Sequence, residues 1–417
     1  MVLLSWLVAS TAIAGEVLVV EEVEIEGLER TKRYVVEREY AFDVGQPARM
    51  EDVEKTERRL GNLPMFNRVN IEVEFIDEPL ARLRIEVDEQ WTLVPTGNFR
   101  ITDDVRLFRV GARDVNLLGR SLETGVVYEW RSGVHSGEGW FRYPRLFGRR
   151  LELGVEGAYR NRVFTLYDDE GQVEGGFLLR NIAVEVELQQ EFRPWLYGGG
   201  RLEVTDDAAG LRSVGEAIEE VQRQEDLPAP TTLIRPGVLV QLGRIDDEGF
   251  LADGISWETV VDGASRHLGS TESFLEVNSQ LNFARTLPLR SLFISRLSVG
   301  ATGAETEYYR LFVGGLDEVR GFRDMRFRGN RRIFANLEYR IPSVVTDWVV
   351  LQHLLFVDAA SVADEWADMR RIDAVSTGVG LRIKSPKIHS LVIRIDVARS
   401  LHGDGRSPWS FGGNQFF

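Results

Sequence analysis

Arg320 lies in the phrase Gly314-Gly315-Leu316-Asp317-Glu318-Val319-Arg320-Gly321-Phe322, between two segments of alternating apolar and polar residues. A guanidinium keeps its proton, and its planar fork can bond two carboxylates at once. Its chemistry therefore depends on acids within reach. Alternation supplies two: Glu338 faces away from Leu337 and Tyr339, and Asp358 shares a face with Phe356 in Leu355-Phe356-Val357-Asp358. Gly378 and Gly380 fall on the face opposite Thr377, Val379 and Leu381, where they leave room for a loop against the wall. Gly321 permits a tight turn and Phe322 an apolar anchor behind Val319. Residue types alone leave a second reading open, in which Arg320, Glu338 and Asp358 are unrelated charges lining a wide interior.

Other chemistries find little support. The chain has no cysteine, so disulfides, thiolate metal sites and cysteine nucleophiles are absent. Its histidines (His135, His267, His353, His389 and His402) are scattered, with neither nucleophile-elbow nor metal-ligand spacing. The expectation is no enzyme, no metal and no cofactor. A formal net charge of −15 over 417 residues argues against a nucleic-acid partner, because phosphate backbones attract basic surfaces.

The elements that must position these residues come in two kinds. Residues 16–90 read as a small α/β module of order strand, helix, helix, strand, strand. Val17 to Glu26 alternates apolar and acidic residues, and Thr31 is placed to cap a helix through Tyr40. Gly45-Gln46-Pro47 breaks that helix, and Met50 to Leu60 has the pattern of an amphipathic one. Val69 to Phe75 and Leu83 to Val87 alternate again. From Trp91 onward, residues 91–417 carry strands about every 20 residues, such as Leu151 to Tyr159, Ile333 to Ile341 and Leu391 to Val397. Val214, Ile218 and Val221 interrupt this with helical spacing inside a long acidic loop, Thr205 to Pro230.

One apolar face per strand fits a soluble sandwich or a membrane barrel equally. Three further features favour a transmembrane β-barrel of about 16 antiparallel strands. Short turns (Leu117 to Arg120, Pro144 to Arg149, Arg193-Pro194, Pro288-Leu289, Pro386-Lys387) alternate with longer loops (Tyr167 to Glu174, Thr205 to Pro230, Glu305 to Arg331). The strand count is even, which puts both ends on one side. The chain also ends in an aromatic, Phe417. Val2 to Ile13 is apolar but too short to span, and Ala12-Ile13-Ala14 offers a small-x-small cleavage site, although no Lys or Arg precedes the run. Residues 1–14 are therefore expected to be a signal peptide.

The chain resembles the outer-membrane protein insertase superfamily, which includes BamA, TamA, organellar relatives and the two-partner secretion transporters. Val319-Arg320-Gly321-Phe322 is similar to its signature loop phrase, Phe356-Val357-Asp358 to the phrase of its thirteenth strand, and Asn336-Leu337-Glu338-Tyr339 to the acidic position of its twelfth. Asp114 to Gly119 and Tyr143 to Gly148 look like its early periplasmic turns, and residues 16–90 like one POTRA domain, where BamA-type proteins usually carry several. The resemblance implies an outer-membrane location with the POTRA module in the periplasm. It implies partners among unfolded outer-membrane or secreted polypeptides and outer-membrane lipid, and leaves room for accessory periplasmic or lipoprotein subunits. It implies a protein insertion factor of BamA/TamA type or, alternatively, a two-partner-secretion-type transporter exporting one dedicated partner. In either, the seam between first and last strands is the weak point, since unpaired backbone cannot face lipid. Pro95 and Gly97 on one side and Gly412, Gly413 and Phe417 on the other are read as a lateral gate, because proline cannot donate to a ladder and glycine weakens it.

Overall fold

The computed structural model describes residues 17–211, 227–248, 250–346, 348–384, 392–405 and 407–413. Contacts divide the chain into two units, one running to Val94 and including Arg113–Thr124, the other formed by Pro95–Ala112 and the chain from Gly125. The first unit contains β1 (Val17–Glu26), α1 (Arg33–Glu37), β2 (Pro47–Arg49), α2 (Met50–Gly61), β3 (Phe66–Asp77) and β4 (Leu80–Glu89). Its sheet has the order β2-β1-β4-β3, with β1 and β4 parallel. Alternation sends Leu18, Val20, Leu83 and Ile85 into a core that Leu60 of α2 and Met65 complete, all of them fully buried.

Two local expectations for this unit are corrected. Thr31 does not cap a helix through Tyr40; α1 begins at Arg33 behind Lys32, without a side-chain cap, and ends at Glu37. The Thr31 hydroxyl instead accepts a hydrogen bond from Asn116 Nδ2 at 2.9 Å, and the Thr31 amide donates to Glu89 at 2.9 Å. The break at Gly45-Gln46-Pro47 also opens a short strand that was not expected, β2, whose Pro47 pairs with Val19. Proline is tolerated there because β2 is a sheet edge.

In the rest of the chain the strands are β5 (Leu93–Ile101), β6 (Arg106–Asp114), β7 (Glu123–Arg131), β8 (Val134–Tyr143), β9 (Leu151–Tyr167), β10 (Val173–Arg193), β11 (Leu196–Gly210), β12 (Thr231–Glu248), β13 (Leu251–Ala264), β14 (Phe274–Leu287), β15 (Ser291–Thr302), β16 (Leu311–Val313), β17 (Phe327–Gly329), β18 (Arg331–Val345), β19 (Val350–Ala363), β20 (Ala374–Lys384), β21 (Val392–His402) and β22 (Trp409–Gly413). Among the described residues, β5 to β15 and β18 to β22 close into a barrel of 16 strands in sequence order, with β22 next to β5. β16 and β17 form a separate hairpin within the sixth long loop, between β15 and β18.

The barrel is apolar outside and polar inside. Leu355 and Val357 of β19 are 57% and 42% exposed, whereas Phe356 and Asp358 between them are buried. The long loop expected from Thr205 begins only at Leu211, because the β10–β11 ladder continues to Gly210 and Asp207 still pairs with Thr231. Val214, Ile218 and Val221, the turn residues Pro386 and Lys387, the signal-peptide segment 1–14 and Phe417 lie outside the described residues.

Gly27 makes the first unit sensitive to a single methyl group. Its φ is +86°, and a Cβ there would lie 1.9 Å from the Val87 carbonyl oxygen. Gly27→Ala is expected to destabilise this unit by about 1–3 kcal/mol, read as faster amide exchange at Val20 and Ile85.

Candidate functional site: a buried arginine cluster in the lumen

The ladder registers bring the inward residues of four neighbouring strands into rows. Glu338 pairs with Phe356 and Phe356 with Gly378, while Asn336 pairs with Asp358 and Gly380 with Asp396. Because the pleat alternates sides, these rows share the lumenal face and their neighbours Leu337, Tyr339 and Val379 stay exposed outside.

Into this wall the sixth loop places Arg320, which is 1% exposed. Its Nε and Nη2 donate to Asp358 Oδ2 and Oδ1 at 2.7 and 2.8 Å, a bidentate fork. Its Nη1 donates to Glu338 Oε1 at 2.6 Å, and its own backbone amide donates to Asp358 Oδ2 at 3.1 Å. The guanidinium lies over the Phe356 ring, 3.6 Å from the centroid, so the ring's negative face adds to the attraction. The second reading of the sequence, unrelated lumenal charges, does not describe this arrangement.

The glycines are required by close approach. A Cβ on Gly378 would fall 2.0 Å from the Val397 carbonyl oxygen and 2.5 Å from Phe356 Cζ. On Gly380 it would fall 2.1 Å from Asp396 Oδ1. Gly321 has φ +88°, and its carbonyl accepts from the Ser407 amide at 3.2 Å. Val319 and Phe322 are buried with Val313, Phe334, Ala360 and Ala374 in an apolar cluster that seats the loop.

The cluster is larger than Arg320, Glu338 and Asp358. Glu338 also accepts from Arg340 Nε at 2.7 Å and from Arg382 Nη2 at 3.2 Å. Asp396 accepts from Arg382 Nη1 at 2.8 Å and lies 3.8 Å from Arg320 Nη1. Asn336 Nδ2 donates to Asp358 Oδ1 and to the Glu318 carbonyl, and Asn336 Oδ1 accepts from Arg296. Arg340, Asn336 and Asp396 alternate with outward apolar residues just as Glu338 does, so the same signal marked them. Sequence reasoning stopped at the two acids nearest the signature phrase. These contacts hold the loop against the wall, beside the buried Ser376 that pairs with Asp358.

Of the expected gate residues, Pro95, Gly97, Gly412 and Gly413 lie on the first and last strands, and Phe417 lies outside the described residues. β22 pairs with β5 at Phe411↔Ile101 and Gly412↔Arg100. Gly413 pairs with Ile393 on its other side. Pro95 and Gly97 lie on β5 away from these two positions.

Removing one partner of a buried charge pair leaves the other uncompensated, typically at about 3–5 kcal/mol. Arg320→Ala and Asp358→Ala are each expected to lower the temperature at which the barrel loses its compact form on a detergent gel. Wild-type heat resistance in both would remove the lock. Gly378→Val should push Phe356 from beneath the guanidinium and give a smaller drop in the same assay.

Comparison with known proteins agrees with this geometry. Residues 116–417 match the Omp85 superfamily domain, and residues 18–90 match the POTRA family described as a surface antigen variable number repeat. No curated protein sequence matches the chain. Among solved structures, BamA from Haemophilus ducreyi lacking POTRA domains 1–3 is similar at TM-score 0.68 and 14% identity, over 95% of this chain and 85% of that one. CdiB from Acinetobacter baumannii is similar at TM-score 0.64 and 12% identity, over 95% and 73%. CdiB from Escherichia coli is similar at TM-score 0.65 and 12% identity, over 95% and 76%. At such identities the likeness concerns the fold, and it is the domain match over most of the chain that carries the family: this protein belongs to the Omp85 superfamily, as an outer-membrane β-barrel preceded by a POTRA domain.

Proposed function

We propose that this protein assembles other polypeptides into the outer membrane in the manner of BamA and TamA, templating them at the seam between β5 and β22. The observation that carries the reading is that the last strand closes directly onto the first, so the barrel has one join between neighbouring strands that no hairpin connects. Unpaired backbone is costly in lipid, and a closed barrel parts most readily at the join where no turn ties the two strands together. An incoming strand can replace the broken pairs by β-augmentation. In the POTRA domain, β3 is a sheet edge and offers extended polypeptides a second place to pair.

The second reading is an exporter of one dedicated secreted partner, and the likeness to two CdiB barrels favours it. Both readings handle polypeptides and need neither cofactor nor catalysis. They differ in clients and in whether accessory periplasmic or lipoprotein subunits are required.

The natural chain lacks cysteine, so an Ile101→Cys/Phe411→Cys pair can be crosslinked without background. Oxidising it is expected to stop client assembly, and reduction to restore it. Normal assembly by the locked protein would overturn the gate. Depletion followed by a census of outer-membrane proteins separates the two functions: many barrels are lost from an insertase, one secreted protein from an exporter.

A further inference from the structure

The sixth loop touches both sides of the seam, and one side chain joins them. Asp317 lies three residues before Arg320 and forms an ion pair with Arg100 of β5, which is in register with Gly412 of β22. Its other carboxylate oxygen lies 3.5 Å from Arg394 Nη2 of β21, the strand next to β22. That same Nη2 donates to the Leu316 carbonyl at 2.7 Å. Leu316 is 3% exposed and covers Gly412, where an added Cβ would lie 3.1 Å from Leu316 Cδ2. Leu316-Asp317 is thus laid across the lumenal face of the join between β5 and β22.

The rest of the loop explains why this contact has leverage. Arg320 ties the loop to β18 and β19 on the last-strand side. Further along, Asp324 reaches the other half of the barrel: its carboxylate lies 3.3 Å from Arg131 of β7 and 3.5 Å from Arg162 of β9, and its amide donates to Asp104 at 2.7 Å. Asp104 lies in the loop that follows β5. The loop is a strap anchored on both sides, and Asp317 is its contact with the first strand at the seam itself.

We infer that Asp317 is the positioning residue that holds the seam closed, its carboxylate bridging Arg100 on the first strand and Arg394 beside the last. When the seam opens, Arg100 leaves with β5 while Arg320 keeps the loop on β18 and β19. At the seam itself, the Asp317–Arg100 pair is the contact that breaks. Its carboxylate side chain is half exposed, so the pair is weak enough to break and reform, unlike the fully buried pairs of Arg320. This inference rests on the seam being the working gate, and its test reads the seam rather than client assembly.

The full-length protein in lipid nanodiscs, spin-labelled at Ile101→Cys and Trp409→Cys, reports the width of the seam. A second pair, Leu355→Cys and Val379→Cys, reports a fully laddered stretch of the same barrel. Both pairs lie on outward, exposed positions. Asp317→Asn is expected to raise the long-distance population at the seam about fivefold, the scale of one partly exposed ion pair, with the reference pair unchanged. Arg100→Gln should do the same, and the double substitution should open the seam no further than either alone. An unchanged seam distribution in Asp317→Asn, or additive effects in the double variant, would overturn the assignment. If the seam labels do not move although the crosslinked seam still stops assembly, Asp317 fails alone. If the crosslinked protein stays active, the gate fails whatever the labels show.

Discussion

A guanidinium withdrawn from water has to be met by anions and hydrogen-bond acceptors, and Arg320 is withdrawn completely. That constraint explains most of the barrel's inner wall on the side of the last strands. Asp358 is committed to the fork and Glu338 to the remaining nitrogen. Phe356 supplies a face beneath the guanidinium, and Gly378 leaves the space that Phe356 needs. None of these positions can change alone, because each neighbour's packing assumes the others. The loop follows from the arginine: with the guanidinium fixed, Val319 and Phe322 on either side are drawn into their apolar cluster and the chain must turn at Gly321.

Glu338 and Asp396 extend the same logic. Arg340, Arg382 and Arg394 line the wall beside Arg320, so an isolated acid would be outnumbered. Glu338 is shared among Arg320, Arg340 and Arg382, and Asp396 bonds Arg382 at 2.8 Å and lies 3.9 Å from Arg394 Nε. Sharing keeps alternating charges in contact across three strands and lets one loop arginine join a network already in place. A network of this kind joins β18 to β21 on their inner face, to which the loop is attached.

How far this was legible depended on which rule places a residue. Glu338, Asp358, Gly378 and Gly380 follow from the two-residue pleat, which puts every second side chain on the lumenal face whatever the distant structure does. The strand count and the alternation of short and long connections are equally local. Thr31 was misplaced because its hydroxyl finds Asn116, 85 residues away in sequence, a partner that capping rules do not consider. The end of β11 was misplaced because Asp206 and Asp207 look like loop residues, yet the ladder to Thr232 and Thr231 holds them in the strand. Asp317 and Asp324 were passed over for a related reason. They sit in a loop, where reach depends on the path of the chain and not on a period.

As the proposed gate, the join of β5 and β22 would give a closed and stable barrel a preferred place to part. Ladder pairs elsewhere run the length of neighbouring strands, as between β18 and β19 from Arg331↔Ala363 to Val345↔Val350. Opening there would expose many backbone groups to lipid, each without a partner. At the join of β22 and β5 side chains add to the cohesion of the ladder. Outside, Phe99 and Phe411 meet with ring centroids 4.9 Å apart. Inside, Leu316 covers Gly412. Apolar contacts and one half-exposed ion pair are non-directional or screened, so they can be replaced by an incoming strand without a matching register. The network around Arg320 holds the loop to the last strands, and in the proposed gate the same loop reaches the seam beside it through Leu316 and Asp317.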